Sequence, residues 1–260
     1  MNEEGTDRDW ESFAQKEPYW SVLSAEEFRG KNLSPEVMDR FFRSGVEHVE
    51  SIVNILSSRF GIPRTFDVAL DFGCGVGRFL FALAGVSKKA IGLDVSPTML
   101  SLCGRHAEER RVDNIELYRS DDGLTAARQY TGAVDLITSY LVFQHIPPRR
   151  GYKIFHGLLQ LLRPGGAGFL HFTFAAGMQS MQYESGNVTG SLYGYYQRTP
   201  DGLIKLMEYP AGDVQIQMNH YNMNDLLCQC YNNGISELFV TFTNHSNVLG
   251  AELYFRKPGG

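Results

Sequence analysis

Long apolar runs are missing from this 260-residue chain. No stretch reaches the roughly 18 consecutive apolar residues of a membrane-spanning helix. The N-terminus, MNEEGTDRDWESF, is acidic and polar where a secretory leader would be basic and then apolar. These absences predict a soluble, cytoplasmic protein with no membrane partner. Cysteine is scarce as well: the four present, Cys74, Cys103, Cys228 and Cys230, have no metal-ligand spacing. Cys228 and Cys230 would point to different sides of a helix, so reduced thiols are expected rather than a bridge or a zinc site. The sequons at Asn187 and Asn244 then read as chance. Clustered positive charge is absent too. The net charge is -5 and no Lys/Arg run exceeds two residues, which argues against a nucleic-acid partner. No internal repeat is present.

What remains is ordinary globular material, 43% hydrophobic and long enough to bury one sizeable core. Residues 1–33 carry Trp10, Phe13, Tyr19, Trp20 and Phe28 among charges, too aromatic for a disordered tail, and read as an N-terminal cap segment. A long helix follows, with Ser34 as N-cap, Pro35 in its first turn and a helical repeat of apolar residues from Met38 to Leu56, ending at GIP (61–63). Short apolar strands then alternate with helical patterns: VALDF (68–72), a helix from about 77, AIGLDV (90–95), a helix capped by Ser96, IELY (115–118) and VDLITSYLVF (134–143). The helix GYKIFHGLLQLL stops at RPGG before the buried strand GFLHFTF (168–174). Residues 175–222 change texture to Gly, Tyr, Gln and Asn, too long for a plain connection and better read as an inserted cap or hairpins. A helix over NMNDLLCQCYNNG and a closing pair of strands, ELFVTFTNH and AELYFRK, complete the chain. Such alternation predicts an α/β fold: a doubly wound, mostly parallel sheet with helices on both faces, residues 34–260 forming one domain with a substrate cap inserted at about 175–222.

Three glycines fall within five positions of LDFGCGVGRFL (70–80), after a strand and before a helix. That arrangement brings bare backbone N–H groups and the positive end of a helix dipole to one point. The dinucleotide fingerprint fails here, because its third glycine would be Arg78 or Leu80. A P-loop fails as well, since GRF stands where Gly-Lys-Ser/Thr is needed.

The segment LDFGCGVGRF closely resembles the glycine motif of the class I S-adenosylmethionine-dependent methyltransferases. Further motifs support the resemblance. Asp94 closes IGLDVS 21 residues after Gly73, where the family places the acid that holds the ribose hydroxyls. RSDDGL offers Asp121 and Asp122 for the adenine amino group, with Asp122 favoured because Gly123 and Leu124 follow it, and the other as a turn residue. DLITSYLVFQHIP resembles the family's fourth-strand segment, and LLRPGG its turn before strand five. Five motifs in order cover about residues 68–175. The resemblance implies a seven-stranded Rossmann-like methyltransferase fold and S-adenosylmethionine as cofactor, with S-adenosylhomocysteine as product. The implied cofactor residues are Asp71, Gly73, Gly75, Gly77, Arg78, Asp94, Val95, Met99, Asp121, Asp122, Gly123 and Tyr140. Gly73 and Gly75 would pass beneath the cofactor where a Cβ would collide, and Arg78 would add a cation beside its carboxylate.

Methyl transfer is an in-line displacement in which alignment contributes most and a positioned base less. His145, just past the fourth strand, is the first candidate base, and His220 a second, returning from the insertion with Tyr221. His171 reads as a core histidine, and His48, His106 and His156 as structural residues of helices. Gln144 and Tyr221 are candidates for the acceptor pocket. Tyr19, Trp20 and Arg43 are lid candidates, with a core aromatic as the alternative for Trp20. Tyr183, Tyr193, Tyr195, Tyr196 and Tyr209 of the insertion suit either a cyclic polar acceptor or an ordinary hairpin. No N/D-P-P-Y/F follows strand four, and Asp135 begins that strand at its far end. An oxygen-directed methyltransferase of small molecules without a metal is therefore the leading expectation. The alternatives are an N-methyltransferase, a protein methyltransferase, a non-catalytic S-adenosylmethionine-binding protein, and cofactor-dependent cyclisation or decarboxylation. No oligomeric state is implied.

Overall fold

The computed structural model describes residues 5–176, 190–191, 194–199, 202–208, 215–245 and 248–259, and the side chains of 190–216 lie outside that description. Its elements, in chain order, are α1 (Gly5–Lys16), α2 (Pro18–Val22), α3 (Pro35–Phe60), β1 (Phe66–Phe72), α4 (Leu80–Val86), β2 (Ser87–Asp94), α5 (Pro97–Arg110), β3 (Ile115–Arg119), β4 (Val134–Ser139), α6 (Pro148–Leu161), β5 (Leu162–Ala176), β6 (Gly190–Ser191), β7 (Gly194–Thr199), β8 (Gly202–Glu208), β9 (Gln215–Asn219), α7 (Met223–Asn232), β10 (Glu237–His245) and β11 (Val248–Arg256). Local chemistry sets several boundaries. The Ser34 hydroxyl accepts from Val37 N at the start of α3, and Gly61 ends that helix at φ 65°. Ser96 caps α5 by accepting from Met99 N at 3.0 Å.

A seven-stranded sheet runs in the order β10-β11-β5-β4-β1-β2-β3, with β1 to β5 parallel and β11 antiparallel to both of its neighbours. Alternation along the central strands feeds two apolar layers. Leu70, Ile137 and Leu170 face a core shared with Phe155 and Leu158 of α6. Ala69, Leu136 and Phe169 face one shared with Ile52 and Leu56 of α3 and Leu83 of α4. A third cluster joins Ala14, Tyr19, Phe28 and Phe41 to Val76 and Met99, and so fastens the N-terminal cover to the glycine loop and to α5. At the α3 contact, a methyl on Gly45 would lie 2.0 Å from the carbonyl oxygen of Arg78, so only glycine lets the helix come that close. The chain order reverses between β1 and β4, and a doubly wound sheet binds its ligands at the carboxyl edge of such a point.

Three expectations need correction. The fourth strand stops at Ser139 instead of running to 143, because Leu141 turns to φ 59° and carries the chain back over the glycine loop. RPGG does not separate a helix from a strand, since β5 begins at Leu162 and runs through it, with Gly165 at φ 78°. The helix after the glycines starts at Leu80, three residues later than expected. In the 175–222 segment the described strands β6 to β9 pair antiparallel as a second, four-stranded sheet.

Candidate active site

The end of β1 is built from backbone. Gly73, Gly75 and Gly77 have φ values of 77°, 52° and 96°, a region costly for residues with a Cβ. Gly73 N and Cys74 N both donate to Leu93 O, at 2.8 and 3.0 Å, which ties the loop to β2. A methyl on Gly73 would lie 2.4 Å from Val142, and one on Gly75 would lie 2.8 Å from Val22. These two glycines therefore face the chain segments that cover the site. Gly77 does not: its Cβ would meet Phe81 and Cys103, so it serves packing against the helices.

Beside the loop lies a cavity of about 100 Å³, lined by Gly73, Gly75, Asp94, Val95, Ser96 and Met99 on its floor and by Ser120, Asp121 and Asp122 after β3. Thr6, Asp7 and Trp10 of α1 with Ser21 and Val22 of α2 form its roof. The volume falls below the roughly 300–1,000 Å³ of small-molecule sites, which means that the cover occupies part of the space. Asp94 accepts from Gly75 N at 2.8 Å and Ser96 N at 2.9 Å, and burial pushes its carboxyl up to about 6. Asp121 uses Oδ1 to cap its own turn, accepting from Gly123 N at 2.9 Å and Thr125 N at 3.0 Å. Gly123 thus belongs to that turn and does not line the cavity. Asp122 gives both oxygens to Arg150, at 2.8–2.9 Å. Arg150, buried on α6, also donates to Thr6 Oγ1 at 2.9 Å and to the Asp7 carboxylate at 2.9 and 3.0 Å. One guanidinium therefore latches α1 to the loop after β3. Sequence reasoning missed this residue, because nothing local marks it among the arginines.

At the other end of the loop a smaller chamber, about 30 Å³, is lined by Val22, Asp71, Gly73, Cys74, Arg78, Phe79 and Tyr140. Asp71 is buried, accepts from Thr138 Oγ1 at 2.8 Å and is pushed by desolvation up to about 7. Arg78 is buried beside it, with Nη1 3.3 Å from Ser44 Oγ and its guanidinium 4.8 Å above the Phe79 ring. Tyr140 forms the chamber's wall. Its ring centre lies 4.4 Å from that of His48, 5.4 Å from His171 and 6.5 Å from His245. This histidine group also escaped sequence reasoning, which assigned His48 and His171 to structure.

Other candidates fall elsewhere. His145 lines the main cavity, but its Nδ1 donates to Gln217 O at 2.9 Å and its Nε2 accepts from Gln144 Nε2 at 3.0 Å, beneath the Trp10 ring. Both of its nitrogens are thus engaged in holding the loop, and burial lowers its pKa to about 4. Gln144 is held by that contact and by Asn219, whose Nδ2 donates to Gln144 O at 3.2 Å. His220 is buried after β9 and does not line the cavity. Tyr221 is a core residue, its hydroxyl donating to Ile146 O at 2.8 Å. Tyr19 is likewise core, 2.9 Å from His106 Nε2. Trp20 stacks under Arg29 away from the cavity, and Arg43 is exposed on α3. Tyr183, Tyr193 and Tyr209 and the side chains of Tyr195 and Tyr196 lie outside the described residues. Asp135 sits at the far end of the sheet, accepting from Asp67 N and Val68 N. Among the described residues no group of three or more His, Cys, Asp or Glu could hold a metal, and no helix is long and apolar enough to cross a membrane.

Residues 69–166 match the family described as "Methyltransferase domain". Among curated proteins, the ubiquinone biosynthesis O-methyltransferase of Acinetobacter baumannii is 30% identical over 97 residues, 37% of this chain and 40% of that protein. The same-named enzyme of Xanthomonas campestris pv. campestris is 29% identical over 118 residues, 45% of this chain and 47% of its own. The chain thus spans less than half the length of these relatives. In three dimensions it resembles magnesium protoporphyrin IX methyltransferase from Synechocystis, solved with bound SAH, at a TM-score of 0.59 and 18% identity, over 92% of this chain and 93% of that one. An S-adenosylmethionine-dependent methyltransferase from Clostridium acetobutylicum gives a TM-score of 0.57 at 16% identity, over 86% and 97%.

Proposed function

We propose that the chain, whose residues 69–166 match a methyltransferase domain, is a class I S-adenosylmethionine-dependent methyltransferase that transfers a methyl group from that cofactor to a hydroxyl oxygen of a small molecule. The observation that carries this reading is the two-ended cradle at the carboxyl edge of β1. One end offers Asp94 and Asp121 or Asp122, acids suited to sugar hydroxyls and to an amino group; the other offers the buried Arg78 guanidinium, suited to a carboxylate. Between them Gly73 and Gly75 keep the backbone bare. Of the two adjacent acids, Asp121 keeps Oδ2 outside its turn, whereas Asp122 is held by Arg150, so Asp121 is assigned to the ligand. This reverses the preference drawn from the sequence.

The cofactor supplies an electrophilic methyl carbon. The protein supplies alignment, and fixing two reactants is worth roughly 7–11 kcal/mol, more than the roughly 3–5 kcal/mol of a positioned base. The cover of α1 and α2 supports an enclosed small acceptor over a macromolecule. The names of the curated relatives favour oxygen as the atom methylated.

Calorimetric titration of S-adenosylhomocysteine into wild type and Asp94→Ala tests the reading. Micromolar binding to wild type, weakened more than about 100-fold by loss of two charged hydrogen bonds, is the expected outcome. Folded wild-type protein that binds neither S-adenosylhomocysteine nor S-adenosylmethionine would overturn it.

A further inference from the structure

We propose that the outer edge of β10 is a docking surface for a second copy of this chain, the two β10 strands pairing antiparallel about a two-fold axis at Thr241. The two seven-stranded sheets then become one continuous sheet. Nothing in this pairing depends on the methyl-transfer reading.

The sheet's two edges are built differently. β3 closes one end with five residues, IELYR, two of them charged, and Glu116 is paired with Lys89. A short, charged strand is a common defence against unwanted pairing. β10 closes the other end with nine residues, ELFVTFTNH, every one of them in register with β11, so no bulge twists it away. It has no lysine, arginine or proline, and its one carboxylate stands at its first position. Among the described residues no strand lies beyond it. A long edge strand of this kind presents a row of backbone N–H and C=O groups that templates pairing with another chain.

Exposed apolar side chains gather at the same end of the molecule. Of the four large ones among the described residues, Leu227 and Tyr231 lie on α7 and Phe242 on β10, leaving only Val46 elsewhere. Phe242 meets Phe174 at 5.7 Å between ring centres, yet is still 73% exposed.

The strand's own sequence selects a second copy as the occupant. With the axis at Thr241 all nine residues overlap, and Val240 lies opposite Phe242 of the partner subunit, Phe239 opposite Thr243 of the partner subunit, and Glu237 opposite His245 of the partner subunit. Each contact occurs twice, because a two-fold pairing is self-complementary. Phe242 then covers Val240 of the partner subunit, on the face where Val240 and Leu238 already border the core. At both ends a carboxylate meets an imidazole, a hydrogen-bonding pair in either charge state of the ring. Two residues is the smallest shift of register that keeps each side chain on its face, and in either direction it shortens the overlap and separates these end pairs. Roughly eight to ten backbone hydrogen bonds join two strands of this length. His245 ends its strand with its ring centre 6.5 Å from that of Tyr140, which lines the main cavity. The pairing therefore brings Glu237 of the partner subunit to the carboxyl edge of this sheet, where the candidate site lies.

Sedimentation equilibrium of the full chain over a micromolar concentration range tests the pairing. Wild type should show twice the mass of the chain. Phe242→Lys, which sets a charge opposite Val240 of the partner subunit, should weaken the dimer at least about tenfold. His245→Glu sets carboxylate against carboxylate at both ends and should weaken it about three- to thirtyfold; adding Glu237→Lys to that variant should restore the affinity to within about threefold of wild type. All three side chains are exposed in the monomer, so the variants keep the fold, and matching circular dichroism spectra check this. A wild-type chain that stays monomeric throughout the range would overturn the pairing. So would a dimer that Phe242→Lys leaves intact, or one weakened by His245→Glu that the added Glu237→Lys does not rescue, since the contact would then lie on another surface or in another register.

Discussion

Asp7→Asn removes the charge that α1 presents to Arg150, and its effect on ligand entry follows from the latch geometry. The Arg150 side chain is 9% exposed, whereas Asp7 is 38% and Asp122 37% exposed. The Asp7 pair therefore lies between a surface ion pair, worth up to about 1 kcal/mol, and a buried pair whose breaking costs about 3–5 kcal/mol, and about 1–2 kcal/mol is a fair value. Asp122 stays on the guanidinium, so Arg150 is not left buried and unpaired. The rest of α1 keeps its anchors: Phe13 is buried, and Glu11 accepts from Ser96 Oγ at 2.6 Å and Thr98 Oγ1 at 2.5 Å. The loss then falls on opening of the cover rather than on global stability. Because the closed cavity is too small for the ligand, entry waits on that opening, and association should quicken about five- to thirtyfold in the variant. Because the latched cover excludes the ligand, dissociation should change little and affinity should tighten by the same factor. Stopped-flow fluorescence with S-adenosylhomocysteine reads this directly through Trp10, which packs 4.7 Å from the His145 ring in the roof. Trp10→Phe should abolish the signal. An association rate in Asp7→Asn equal to that of wild type would refute the gating role of α1.

Two further outcomes are expected. Asp71 has its folded-state pKa raised from 3.8 to about 7 by burial, so its protonated form stabilises the fold; that contribution is complete below about pH 4 and is lost as pH rises through 7. Thermal melts of the ligand-free protein should therefore show stability falling by roughly 2–4 kcal/mol between about pH 4 and 8, and Asp71→Asn should flatten the fall. Gly45→Ala places a methyl 2.0 Å from the Arg78 carbonyl and should destabilise by about 1–3 kcal/mol, each kcal/mol lowering the melting temperature by about 2–4 °C. Gly85→Ala in α4, where a methyl meets nothing within 4 Å, should leave the melting temperature unchanged or higher, and so serves as its control.

The strands, the glycine loop and Asp94 were legible because each is written in a short contiguous pattern: an apolar run, a turn that tolerates positive φ, an acid at a strand's end. Tyr140, His48, His171 and His245 were not. They come from β4's exit, α3, β5 and β10, and only the order of strands in the sheet brings them together. Arg150 escaped for the same reason, since its partners Asp7 and Asp122 stand 143 and 28 residues away. His145 misled in the opposite direction. Its place after strand four was read correctly, but the carbonyl of Gln217 that occupies its Nδ1 arrives from the inserted sheet, 72 residues on. The early end of β4 has a similar origin, because Val142 is drawn onto Gly73 by a contact that no local propensity encodes.

The stitching of β9 to the rest of the molecule also bears on how such a protein changes over evolution. Gln217 and Asn219 hold the loop at Gln144 and His145, Thr173 Oγ1 donates to Asn219 O at 2.5 Å, and Tyr221 N donates to Thr173 O at 2.7 Å. The inserted sheet therefore leaves and rejoins the main sheet at adjacent points, like a cassette clipped in at one seam. A chimaera that grafts a foreign insertion should keep residues 217–221 with the recipient; cutting inside them would separate the cassette from the loop it steadies.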